Sequence, residues 1–155
     1  MNQLLDFISK EIMVLLVAAM PVMELRAAIP LGVSLGMSPI HAMVLGIIGS
    51  MIPVPFLLFF LKPVFAFMRK SPYWRKFVDW VIHRTMKKSS RIHKYSALGL
   101  MLFVAIPIPS TGVWTGSIAA SLLNMRIKYA FLAIFAGNCI AAIIMMLLSH
   151  MAIRW

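Results

Sequence analysis

Glu24 and Arg26 lie two residues apart within IMVLLVAAMPVMELRAAIPLGVSLGM, residues 12–37, a stretch with no other charge and with Pro21 and Pro30 flanking the pair. An ionised side chain at bilayer centre costs from roughly 3 to more than 10 kcal/mol, so such groups persist where they face a partner or a watery cavity. The chemistry open to this pair is ionic. A carboxylate can take up a proton or Na⁺ or counter a cation, while a guanidinium can grip a phosphate or carboxylate. Residues two apart do not face each other on a regular helix, so a local ion pair requires a broken backbone, which the flanking prolines favour. The competing reading is a purely structural pair that caps a broken helix. For ionisable residues inside a membrane the default is function.

A second polar cluster stands in LFVAIPIPSTGVWTGSIAASLL, residues 102–123. Pro107 and Pro109 end a helical arm and free its last carbonyls, and Ser110, Thr111, Gly112 and Thr115 supply hydroxyls and exposed amides. A new arm is expected to start within a residue or two of Ser110 or Thr111, either of which is a good N-cap. A helix N-terminus pointing to mid-membrane offers unpaired N–H groups and partial positive charge, a place for a phosphate or carboxylate. Trp114 either closes over a ligand or anchors the hairpin. Gly116, Ser117, Ala119, Ala120 and Ser121 read as close helix packing.

Neither an enzyme nor a metal site follows from these residues. His41, His83, His93 and His150 fall at expected interfaces, with no spacing that pairs one with Ser110 or Cys139 as base and nucleophile of an intramembrane lipid hydrolase. The methionines read as adaptable packing, the lone Cys139 as a packed thiol, and no cofactor is expected.

The elements that must position the two clusters follow from composition. At 62% hydrophobic over 155 residues, with a mean hydropathy of +0.94, the chain reads as one all-α integral membrane domain spanning residues 1–155. The N-terminus lacks the net-positive start of a cleaved signal peptide, so no processing is expected. Residues 40–68 and 127–153 are long enough to cross a bilayer, which takes about 20 residues. Residues 12–37 and 97–125 are each cut near the middle, at Pro21 and Pro30 and at Pro107 and Pro109, and read as re-entrant hairpins, with proline-kinked full spans and four crossings as the alternative. The order is hairpin, span, basic helix, hairpin, span, a loose duplication in which Pro21 and Pro107 stand 86 apart and Gly46 and Gly137 stand 91 apart. One crossing per unit inverts the second copy, an arrangement that builds one site between two broken helices near the midplane.

Charge placement orients the chain. Net charge is +11, and ten of the basic residues fall between Lys62 and Lys94 against the single acid Asp79. Beside membrane spans this reads as a cytoplasmic loop, residues 69–94, and not as a nucleic-acid site. Residues 72–95 repeat at helical spacing, as an amphipathic helix on an anionic leaflet with Trp74 and Trp80 at headgroup depth. Both termini then lie outside. The loop GMSPIHAM has no Lys or Arg, as an outer loop should, whereas NMRIKYA carries Arg126 and Lys128 on the inner side.

The motifs PVMELRAAIPLG and LFVAIPIPSTGVWTGSIAASLL closely resemble the bacterial and archaeal small multidrug export family, over most of the chain. More distantly, the element order resembles the DedA or VTT-domain superfamily, whose members translocate lipids, polyprenyl phosphate among them. That resemblance matches Glu24 to an essential acid of the first hairpin. Its second hairpin carries arginines beside the proline, where this chain has Ser110, Thr111 and Gly112, and Arg26 would supply the positive charge from the other hairpin. The leading expectation is a transporter of a phosphate-bearing lipid in a prokaryotic inner membrane, with Glu24, Arg26, Ser110, Thr111, Gly112, Trp114 and Thr115 at the substrate and Glu24 coupling a proton or Na⁺. Proton-coupled export of cationic amphiphiles is the alternative, and a membrane scaffold a further one. Partners are membrane lipids and a second copy of the chain in a homo-oligomer, since two spans and two hairpins can hardly shield a polar site alone.

Overall fold

A computed structural model describes residues 2–68, 70–73, 75–76, 79, 92–108 and 111–153. Among the described residues the secondary structure is all helical: α1 Asn2–Ala19, α2 Glu24–Ser34, α3 Pro39–Met51, α4 Pro53–Met68, α5 Ile92–Ala105, α6 Val113–Leu122 and α7 Ile127–Ile153. The expected basic helix at 72–95, with Trp74 and Trp80, falls largely outside the described residues, as do Pro109 and Ser110.

Among the described residues two helices are long and apolar enough to cross a bilayer. One is the continuous run Pro39–Met68, which comprises α3 and α4, and the other is Ile127–Ala152 within α7. The junction between α3 and α4 falls at Ile52, directly before Pro53, whose missing N–H removes one helical hydrogen bond without ending the run. Phe56, Phe59, Phe60 and Phe67 on α4 and Leu132, Ile143 and Leu147 on α7 project outward from the fold. So much exposed apolar surface on such helices suits contact with lipid.

The segments expected to be broken are broken, with two changes of detail. α1 stops at Ala19 ahead of Pro21 and α5 stops at Ala105 ahead of Pro107, as the steric demand on the residue before a proline requires. Pro30, however, does not interrupt its segment; it lies inside α2. Prolines are tolerated within membrane helices where neighbouring groups satisfy the freed backbone. The helical arms also reach beyond the apolar runs, since α1 begins at Asn2 and α5 at Ile92 instead of 12 and 97.

α2 and α6 end alike. In α2 the amide of Met37 donates to the Gly32 carbonyl at 3.0 Å with Gly36 at φ +87°, and 88 residues later Met125 donates to Ala120 at 3.0 Å with Asn124 at φ +52°. Both are Schellman ends, which place a left-handed residue one past the cap, and Gly and Asn are the residues that tolerate it. Ser38 then caps α3 by accepting from the His41 amide at 3.3 Å. Around α1, Lys10 Nζ donates to the Leu35 carbonyl at 3.1 Å and Glu11 meets His41 at 2.9 Å, which tie its middle to the α2–α3 turn.

α2 and α6 pack against different stretches of α7. Leu25 and Ile29 of α2 share a buried cluster with Met43 and Ile47 of α3 and with Ala141, Ala142, Met145 and Met146 of α7. Val113 and Ala120 of α6 share another with Val54 and Leu58 of α4, Val104 of α5, and Ala130 and Ile134 of α7. The start of one long helix therefore packs against the end of the other, so the two run antiparallel. Close approach is bought by glycine. A Cβ at Gly49 would lie 2.7 Å from the Leu15 carbonyl and Ala18 Cβ of α1, and one at Gly137 would overlap the Met101 carbonyl of α5. Gly49 and Gly137, 88 residues apart, thus each pack on the helix before their own broken segment's gap, whereas Gly46 packs against Ile29 and Leu25 of α2.

Candidate functional site

The break between α1 and α2 and the break between α5 and α6 meet in the interior, and Glu24 and Arg26 join them. Glu24 has a φ of +49°, a left-handed conformation that costs a residue with a Cβ roughly 1–2 kcal/mol. This local break turns its carboxylate back to Arg26, and Arg26 Nη1 donates to Glu24 Oε2 at 2.8 Å. The two side chains are 5% and 12% exposed, so the pair is buried. A pair two residues apart did require a broken backbone, and the break sits at the acid itself.

The carboxylate makes two further bonds across the fold. Val113 N–H donates to Oε2 and Trp114 N–H donates to Oε1, each at 3.3 Å. These are the first two amides of α6, left without intrahelical acceptors by their position, and an acid there also meets the positive end of the helix. Glu24 thus caps a helix that begins 89 residues away. The N-cap position itself is Gly112, not Ser110 or Thr111. The Thr115 hydroxyl accepts from the Gly112 amide at 2.9 Å, and the Glu24 oxygens take the place a capping side chain would fill. Gly112 has a φ of −136°, open to any residue, so glycine is there for space: a Cβ would overlap both Glu24 oxygens.

Arg26 works on the opposite helix end. Its Nη2 donates to the carbonyls of Val104 at 3.2 Å and Ile106 at 3.0 Å, where α5 runs out, and closely to the carbonyl of Thr111. Among the described residues its buried Nε has no hydrogen-bond partner. Thr111 directs its hydroxyl to Ile106 and Ile108 at 2.8 and 3.0 Å, which shapes the turn after Pro107. Trp114 anchors as well: its indole Nε1 donates to the Ala19 carbonyl at 3.2 Å, at the end of α1.

Of the residues expected at the site, Glu24, Arg26, Thr111, Gly112, Trp114 and Thr115 come together, and Ser110 lies outside the described residues. The carbonyls of Ala19, Val104 and Ile106 had no signal in the sequence, because every residue type carries one. Asn138 had one, as the only carboxamide in the last apolar run, and it donates from Nδ2 to Ser50 Oγ at 2.8 Å between the two long helices. The small residues of α6 pack as expected, a Cβ on Gly116 falling 2.7 Å from Val104.

A search of curated proteins and a search of solved structures each found no match. Among family profiles, the one described as "Putative small multi-drug export protein" matches residues 24–144, which begins at the acid of the central ion pair and takes in both broken segments' junctions with the long helices. With more than three-quarters of its length matched, and with two helices able to span a bilayer, this membrane protein belongs to the small multi-drug export protein family.

Proposed function

We propose that the chain is a membrane transporter in which an anionic headgroup, of the phosphate-bearing lipid class, passes between two re-entrant hairpins formed by α1–α2 and α5–α6. One observation carries this reading. The Glu24 carboxylate is held at once by Arg26 and by the first two amides of α6, so three donors already converge on one anion. A phosphate competes for the same donors through helix-end amides and a guanidinium. Glu24 is the resident anion that such a headgroup displaces, and a proton or Na⁺ taken up by Glu24 frees Arg26 and the amides for it. The tails stay in the bilayer, which lets a small chain serve a large substrate. On this reading the hairpins belong to an inverted repeat, the basic segment 69–94 faces the cytoplasm of a prokaryotic cell, and a second copy completes the shielding of the site.

The family description favours a second reading, export of cationic amphiphiles with Glu24 as counter-charge. Arg26 weighs against it. Its guanidinium is bound to the carbonyls of Val104, Ile106 and Thr111, so it stays beside Glu24 and repels an incoming cation.

The test is ligand-induced thermal stabilisation of the purified protein with phosphatidate or a polyprenyl phosphate and, in parallel, with a lipophilic cation. Phosphate lipid stabilises the wild type, Arg26→Lys retains part of the effect and Arg26→Ala loses it. Full phosphate-lipid stabilisation in Arg26→Ala, or stabilisation of the wild type by the cation alone, refutes the anionic reading.

A further inference from the structure

Three buried serines, Ser117, Ser121 and Ser149, donate to a carbonyl four residues back in their own helix. Ser50 donates within its own helix too, to the Ile47 carbonyl at 3.1 Å, but it and Asn138 are also joined from one helix to another. They are 0% and 1% exposed, and Asn138 Nδ2 bonds Ser50 Oγ across the crossing of the two long helices. Their positions are equivalent in the two halves of the chain. The paired helix ends at Gly36 and Asn124 and at Met37 and Met125 stand 88 residues apart, and so do Gly49 and Gly137, each packed on the first arm of its own half. Ser50 and Asn138 come next in the same register. Two equivalent residues that touch each other lie on the two-fold axis relating the halves. The clusters on either side agree: 43 and 47 pack with 141–146, 54 and 58 with 130–134, and residues 50 and 138 fall between.

Away from this axis the equivalent residues bond to other partners and not to each other. Arg26 corresponds to Trp114, and each donates to carbonyls at the end of the other half's first arm, Arg26 to Val104 and Ile106, Trp114 to Ala19. Glu24 corresponds to Gly112, so the carboxylate is present on one side alone. In an inverted-repeat transporter the two halves exchange conformations, and contacts off the axis are made in one state and broken in the other. A contact on the axis is its own counterpart. It survives the exchange.

The geometry points to Ser50 and Asn138 as the pivot of the transport cycle: the antiparallel long helices form a fixed core around this bond, and the α1–α2 and α5–α6 pairs rock against it. The inference rests on the transport reading. A buried carboxamide in an apolar crossing also resists slippage, because sliding leaves Asn138 Nδ2 without this partner where no water can compensate, while Ser50 keeps its bond to the Ile47 carbonyl.

Pulsed electron resonance distances in nanodiscs test it with two label pairs, each at equivalent and exposed positions, in a Cys139→Ala background. Val44 and Leu132 report the core, and Met20 and Ile108 report the hairpin tips. Between low and high pH, and with or without phosphatidate, the core pair holds one narrow distance while the tip pair shifts by several ångström. Asn138→Leu broadens the core distance. A core pair that moves as far as the tip pair overturns the proposal, as does a tip pair that never moves or a core distance that stays narrow in Asn138→Leu. Should the tips move over a still core in a protein that carries no phosphate lipid, the substrate reading falls and the pivot stands.

Discussion

Gly112→Ala is the sharpest perturbation of the site, because it adds one methyl at a place where the backbone itself accepts alanine. With φ at −136° the change alone is neutral or stabilises by about 0.4–1 kcal/mol through the unfolded chain. The cost comes from Glu24, whose two oxygens occupy the space of the new Cβ. The carboxylate must withdraw from Val113 and Trp114, whose long 3.3 Å bonds are worth about 1 kcal/mol each. It also shifts against Arg26, and breaking a buried pair outright costs about 3–5 kcal/mol. A net loss of about 3 kcal/mol is expected, large against the ~5–15 kcal/mol of a typical fold. The assay is equilibrium unfolding in mixed micelles, followed by tryptophan fluorescence, for Gly112→Ala, Glu24→Ala and the double variant. In the Glu24→Ala background the same methyl meets no carboxylate and costs nothing, so the coupling energy approaches the whole effect. An additive cost refutes the idea that Gly112 exists to admit Glu24.

Glu24→Gln keeps volume and an acceptor for the α6 amides while it removes the charge, so the protein stays folded with a loss of about 1–3 kcal/mol, and transport loses its pH dependence; a pH-dependent Gln variant removes Glu24 from coupling. Trp114→Phe removes the bond to the Ala19 carbonyl and part of the indole's packing on the α4–α7 cluster, and lowers stability by at least about 1 kcal/mol in the same unfolding assay, with an unchanged value showing that the indole does not anchor α1. Gly36→Asn costs less than Gly36→Val, which meets a penalty of about 1–2 kcal/mol at φ +87°, because Asn124 already serves the same turn 88 residues on; equal costs would place the restraint elsewhere. Single cysteines at Ser38 and Ser89, in Cys139→Ala, label from opposite sides of the membrane with Ser89 cytoplasmic, and labelling from one side sinks the hairpin topology.

What the sequence made legible follows the physics that is local to it. Apolar length gave the long helices, with α7 over Ile127–Ile153 as expected, and Pro21 and Pro107 marked the ends of α1 and α5 because proline acts on its own neighbours. Pro30 misled, since whether a proline ends a helix or sits inside it depends on what packs around the freed carbonyl. The isolation of Glu24 and Arg26 in an apolar run announced the site. Their partners did not announce themselves, being amides of Val113 and Trp114 and carbonyls of Val104 and Ile106 that only the meeting of two chain breaks brings near. The cap of α6 was sought in Ser110 or Thr111 and came from an acid 89 residues upstream of the helix start, a long-range solution invisible to local rules. The pairing of Gly46 with Gly137 was drawn from residue type, whereas in the fold it is Gly49, 88 residues before Gly137, that packs on a first arm as Gly137 does.

The most direct test of the central claim is flux in proteoliposomes, with a fluorescent phosphate lipid and a lipophilic cation assayed side by side for wild type and Arg26→Ala. If Glu24 is the resident anion of a phosphate-headgroup path, the wild type moves the phosphate lipid, Arg26→Ala does not, and the cation is moved by neither. Cation flux that persists or rises in Arg26→Ala, with no movement of the phosphate lipid by the wild type, contradicts the account.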